Sequence, residues 1–91
     1  MFFSIIIPVF NRPEEVDELL QSLTLQTNKN FEVILAEDGS TNKSDEVAKK
    51  YAEILSINYF EKTNSGPGTT RNAGAEKAKF DYLIFFDSDC I

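Results

Sequence analysis

Four short apolar runs set the frame for this chain. Ser4 to Val9, Phe31 to Ala36, Ile57 to Phe60 and Tyr82 to Phe86 are rich in β-branched or aromatic side chains, and each has the length of a strand. The segments between them carry the helical period. Val16, Leu19, Leu20 and Leu23 recur at i, i+3, i+4 and i+7, on a helix that opens at Pro13 and ends near Gln26. Val47, Ala48, Tyr51, Ala52 and Leu55 form a second stripe. A third helix, from about Thr69 to Lys79, has small inner residues, Thr70, Ala73, Gly74 and Ala78, which let it lie close on a sheet. The resulting order, β-α-β-α-β-α-β with short links, predicts a Rossmann-like α/β three-layer sandwich. Its sheet is expected to be mainly parallel, with right-handed crossovers and strand order 3-2-1-4. Ile57 to Phe60, broken by Asn58, is expected nearest an edge, and Tyr82 to Phe86 is expected to be a buried strand.

Composition narrows the function classes. The 91 residues suffice for one small domain, and a 42% hydrophobic content is that of a globular chain. A net charge of −6 argues against a nucleic-acid backbone as partner, although a nucleotide needs only one or two cations and a metal. With no His, this stretch holds no His-based triad, general base or zinc site. The single Cys90 cannot form an internal disulfide and fits a reducing compartment. The apolar start lacks the basic region and cleavage site of a secretory signal, and Asn11-Arg12 interrupts it before it could span a bilayer. The expected location is cytoplasmic, with any contact to the inner face of a membrane made through segments outside this stretch.

Ligands of parallel sheets bind outside the carboxyl ends of the strands. Here those ends are Pro8–Arg12, Glu37–Thr41, Glu61–Gly68 and Asp87–Ile91, which hold nearly every Gly, Pro and unusual polar residue. Asp87 and Asp89 are two apart, so an extended chain turns both to one face, where they can hold a hard cation and the phosphate it carries. Alone, an Asp-x-Asp reads equally well as a solvated strand end. Asp38, just before Gly39, can accept from a uracil imide or a ribose hydroxyl; Ser40 and Thr41 are available to cap the following helix instead of it. Glu37 alternates to the other face and is read as structural. Arg71, placed in the first turn after Gly66-Pro67-Gly68, suits a diphosphate or a base, helped by the helix dipole. Arg12, beside Glu14 and Glu15, is explained by a surface ion pair, and Cys90, without a base partner, by packing. Neither a Walker sequence nor a dinucleotide fingerprint is present.

Taken together, four segments resemble the family 2 glycosyltransferases, which share the GT-A fold. They are Ile5-Ile6-Ile7-Pro8-Val9-Phe10-Asn11, Glu37-Asp38-Gly39-Ser40-Thr41, the stretch from Asn64 to Gly74, and Phe86-Asp87-Ser88-Asp89. Their order and spacing match the family from end to end. The resemblance implies a nucleotide-sugar donor, UDP-sugars foremost, a divalent Mn2+ or Mg2+, and a carbohydrate or lipid-linked acceptor in polysaccharide or glycolipid synthesis. By the same carry-over, Pro8, Val9, Phe10 and Asn11 line the nucleoside pocket, Asp38 contacts the base, and Gly66 and Arg71 approach the base or phosphates. Asp87 and Ser88 lie on the ribose or metal side, and Asp89, with Asp87, ligates the metal. Two departures stand out. Glu37 replaces a more usual Asp, and the family's acceptor half with its general base is expected beyond Ile91. Residues 1–91 are therefore read as the nucleotide-sugar-binding half of a shortened GT-A domain.

Two other readings compete. Phosphotransferases of the haloacid dehalogenase type also place Asp-x-Asp after an apolar strand. Theirs is an early strand, however, and a Thr stands where this chain has Ile91. The third reading is a non-catalytic half-domain that binds nucleotide or associates with itself through an open sheet edge.

Overall fold

A computed structural model describes residues 2–26, 30–63 and 67–86. The elements are β1 (Phe3–Val9), α1 (Pro13–Thr24), β2 (Phe31–Asp38), α2 (Asp45–Tyr51), β3 (Ile57–Lys62), α3 (Pro67–Glu76) and β4 (Tyr82–Phe85). All three strand pairs are parallel and the order is β3-β2-β1-β4. The expected α/β class, strand order and edge position of β3 are all observed.

Alternation along the strands divides the core into two layers. Ile5, Ile7 and Val9 of β1 and Val33 and Leu35 of β2 pack with Val16, Leu20 and Leu23 of α1 and Ala48 and Tyr51 of α2. The opposite face carries Ile6 and Ile34, both fully buried, and α3 lies on it. Gly74 makes that approach possible, because a Cβ built there would stand 2.6 Å from Ile6 Cγ2. On the same face Lys77, just past the end of α3, sits 4.8 Å above the Phe60 ring. At the amino end of the sheet, the buried Glu32 carboxylate accepts from Ser4 Oγ and from the Lys79 amide, both at 2.7 Å. One acid thereby ties β1, β2 and the exit of α3 together.

Pro8 lies within central β1, and parity shows why the ladder tolerates it. Phe86 N donates to Ile6 O, so Ile6 faces β4, and Pro8, two residues on, faces the same way. Its missing N–H therefore falls beyond the last described β1–β4 pair, Ile6 with Phe85, and not in the β1–β2 ladder.

Three expectations need correction. β4 is an outer strand of the described sheet, and Tyr82, Leu83, Ile84, Phe85 and Phe86 are all exposed, from 38% to 60%. The described helices lie over β1, β2 and β3, so neither face of β4 is covered by them. Ala52 is also exposed, because α2 closes at Tyr51 before its stripe is complete. Finally, α3 begins at Pro67, whose fixed φ and missing N–H suit the first helical position, so Arg71 stands in its second turn.

No helix among the described residues is long and apolar enough to cross a membrane.

Candidate functional site

The carboxyl ends of β1, β2 and β3 reach nearly the same level: Val9 pairs with Glu37, Glu37 with Glu61, and Asp38 with Lys62. The loops that leave β1 and β2 are knitted into one unit, and two residues in the left-handed region make its turns. Gly39 has φ 69°, which glycine adopts without strain, and Asn11 has φ 53°, which Asn tolerates better than most residues. Asn11 is held in that conformation from both sides. Its amide donates to Ser40 Oγ at 2.8 Å, and its Oδ1 accepts from the amides of Thr41 and Asn42, each at 2.9 Å.

Beneath this brace lies Glu37, fully buried. Its Oε2 accepts from Ser40 Oγ at 2.5 Å, and its Oε1 accepts from the Ser44 amide at 2.6 Å and Tyr59 Oη at 3.0 Å. Burial and the bond to Glu37 push the Tyr59 phenol well above its ordinary pKa, so it remains a donor. The structural reading of Glu37 thus acquires specific partners. The expectation that Ser40 or Thr41 caps α2 does not hold: the N-cap is Ser44, without a side-chain cap bond. Ser40's hydroxyl and Thr41's amide are committed to Glu37 and Asn11 instead. A salt bridge of 2.7 Å from Lys43 to Glu61 further fastens this loop to β3, and that bond raises the lysine's pKa.

Asp38 follows Glu37 on the other face, the one covered by α3. Only 5% exposed, it meets Lys62 Nζ at 3.4 Å, and that same ammonium donates to Thr63 O at 2.9 Å. Arg71, half-buried, belongs to the helix lying over that face. Pro8 and Val9 are buried, Val9 within the core on the α1 side, so only its backbone can face a ligand; Phe10 is 48% exposed. Arg12 pairs with Glu15 at 3.5 Å, the surface ion pair expected of it. Gly66, Asp87, Ser88 and Asp89 lie outside the described residues, as does Cys90.

Three contributors escaped the reading from sequence. Lys62 and Tyr59 could have been placed by strand alternation in Ile57–Lys62, once the β2–β3 register was known. Ser44 carries no such signal, because its partner is seven residues back on a different element. A groove of about 210 Å³, lined by Asp45, Ala48, Lys49 and Ala52 of the α2 segment and by Ile57 and Tyr59, lies on the α2 side of β3, away from Asp38's face.

Comparison with known proteins agrees with this geometry. A 42% identical relative, an uncharacterized glycosyltransferase of Rickettsia felis, aligns over 94% of this chain and 14% of its own length. Among solved structures, residues 1–349 of Staphylococcus aureus TarS in complex with UDP-GlcNAc superpose with a TM-score of 0.90 at 36% identity. That match covers 98% of this chain and 27% of TarS 1–349. A mannosyltransferase of Pyrobaculum calidifontis, solved with GDP-Man and Mn2+, shares the fold with a TM-score of 0.83 at 20% identity, over 96% of this chain and 27% of its own. The chain therefore spans well under half the length of these relatives. The glycosyl transferase family 2 model matches residues 4–91, a span that includes all four sequence segments on which the resemblance rests. On that match and that architecture, a parallel sheet of the GT-A kind with the loops after β1 and β2 braced together at its carboxyl edge, this chain belongs to glycosyl transferase family 2.

Proposed function

We propose that this chain forms the donor-binding half of a glycosyltransferase, taking a nucleotide-diphospho-sugar with its base against Asp38. The observation that carries this reading is Asp38 itself: a buried carboxylate at the end of a central strand, on the face shared with α3 and Arg71. An acceptor in that position reads the imide N–H of a uracil and rejects bases that present no donor there. Pro8 to Asn11 offer backbone to the nucleoside, and Arg71 offers a guanidinium to base or phosphates, with Gly66 assigned to the same side by the family resemblance. The bound UDP-GlcNAc of the TarS structure supports a UDP-sugar.

Asp87 and Asp89, with Ser88 between them, would hold a divalent cation; hard carboxylate oxygens are what Mn2+ and Mg2+ require. Among the described residues no group of three His, Cys, Asp or Glu side chains competes for it. Such an ion, when bound, neutralises charge on the leaving diphosphate. Transfer would go to an acceptor hydroxyl of a carbohydrate or lipid-linked glycan, and none of these 91 residues is assigned as its general base. Calorimetry with UDP, UDP-GlcNAc and a GDP-sugar in the presence of Mn2+ tests the reading. Metal-dependent heat with a uridine nucleotide is expected, lost in Asp89→Ala; a folded sample that gives none with any nucleotide overturns it.

The exposed β4 favours a second, compatible reading, in which its free edge pairs with that of a second copy. Sedimentation should show a concentration-dependent dimer, and a clean monomer at high concentration refutes the pairing.

A further inference from the structure

Glu37 is the fully buried acid nearest the candidate site, yet its side chain is turned away from the face on which a ligand would sit. Its bonds span three parts of the fold: its own β2–α2 loop through Ser40 and Ser44, β3 through Tyr59, and, one bond further, the β1–α1 turn at Asn11. We propose that Glu37 is a positioning residue for the nucleotide pocket. Through Ser40 it locks the Asn11 turn to the loop that starts at Asp38, so that two walls of the pocket are assembled before any ligand arrives. The inference rests on the donor-binding reading above and adds to it a residue that touches no ligand.

The direction of each hydrogen bond makes the argument specific. Asn11 N–H can only donate, so Ser40 Oγ must accept from it and send its single proton elsewhere. A carboxylate is the partner that takes that proton while Oε1 takes two more donors, Ser44 N–H and Tyr59 O–H. An amide in place of the carboxylate keeps the shape and breaks the logic. If its NH₂ faces Ser44, two donors oppose each other. If the NH₂ faces Ser40, the serine proton loses its acceptor. Either way a donor is left opposed or unpaired and the Ser40 hydroxyl is no longer held by a charged acceptor, which loosens the bond that holds Asn11 at φ 53° and the Oδ1 that the Thr41 and Asn42 amides share. Preassembly matters for affinity because each loop ordered only on binding subtracts from the free energy of binding.

The test separates positioning from mere stability. UDP with Mn2+ is titrated calorimetrically into the wild-type chain and into Glu37→Gln, Ser40→Ala and Tyr59→Phe, and thermal unfolding is recorded for each. Tyr59→Phe removes one donor to Glu37 and leaves the Glu37–Ser40–Asn11 relay intact. It should lower the melting temperature and keep UDP affinity within about twofold. Ser40→Ala and Glu37→Gln should weaken UDP by roughly tenfold or more. Affinity losses that follow the melting temperatures across all three variants overturn the proposal, and so does wild-type affinity in Ser40→Ala. A second readout is independent of nucleotide. Glu37→Gln should speed hydrogen exchange at the Asn11 amide, which Glu37 does not touch, and an unchanged rate there refutes the relay. Should the wild type bind no UDP while exchange at Asn11 responds, the donor-binding reading fails and the relay stands as a loop brace.

Discussion

Gly74→Ala offers the sharpest test of how α3 is seated, because two effects of opposite sign compete. Alanine raises helix propensity, which by itself would stabilise an exposed helix by up to about 1 kcal/mol. Here the new Cβ would lie 2.6 Å from Ile6 Cγ2, against the 3.4 Å at which ordinary contact begins. The methyl it meets cannot swing away freely, since Ile6 is β-branched, fully buried and paired on both sides in the central strand. Relief must come from lifting the helix, and overpacking of this kind costs about 1–3 kcal/mol. Because Ile6 cannot yield, the cost belongs in the upper part of that range, about 2–3 kcal/mol, and the net expectation is a loss of roughly 1–2 kcal/mol, or a fall in melting temperature of roughly 4–8 °C per kcal/mol in a domain this small. Urea unfolding monitored by circular dichroism measures it. A double-mutant cycle isolates the contact: in an Ile6→Ala background, which removes the offending methyl, Gly74→Ala should be neutral or stabilising. A neutral or stabilising effect in the wild-type background would refute the close seating. The seating bears on the site, because Arg71 stands one turn before Gly74 on the same helix.

Glu32→Ala should cost about 1–3 kcal/mol, because it leaves the Ser4 hydroxyl and the Lys79 amide without their shared acceptor; Glu32→Gln, whose carbonyl can serve both, should cost under about 1 kcal/mol. Denaturant midpoints of the two variants decide it. Asp17 accepts from Tyr51 and Lys50, and these bonds, the tyrosine's first, hold its pKa below the usual 3.8. A depressed carboxylate pKa stabilises the fold above 3.8 and ceases to do so as pH falls through the folded-state value. Wild type should therefore be more stable than Asp17→Asn at neutral pH, by a modest margin for a partly exposed group, and the gap should close in acid. A gap that persists or widens at low pH would contradict the assignment.

Residues whose structure depends on local pattern were legible from the sequence; residues whose structure depends on register were not. The continuous β-branched run Ser4 to Val9 implies a central strand covered on both faces, and Ile5, Ile6 and Ile7 are all buried. Arg12 with Glu15 follows from helical spacing alone. The burial of Tyr82 to Phe86 misled because apolar character says that a segment can be covered, while coverage depends on where the helices land. The start of α2 was hidden because Glu37 fixes Ser44 from another element. Asn11 was placed at the site, but its role as a brace required knowing that Ser40, Thr41 and Asn42 stand opposite it.

The strand order carries a consequence for how the protein is made. β1 is synthesised before the other described elements, and its two edges are filled at very different times: Phe3 pairs with Phe31 on one side and with Tyr82 on the other. While β2 and β3 emerge, the sheet grows away from β1, and α3 must then travel back across it to deliver β4. Closing so long a loop comes late in folding. A nascent chain that stalls before residue 82 has its helices within reach but one edge of its central strand still open. Of these four strands, the one made earliest is completed last, and until then it is a place where a neighbouring nascent chain can attach.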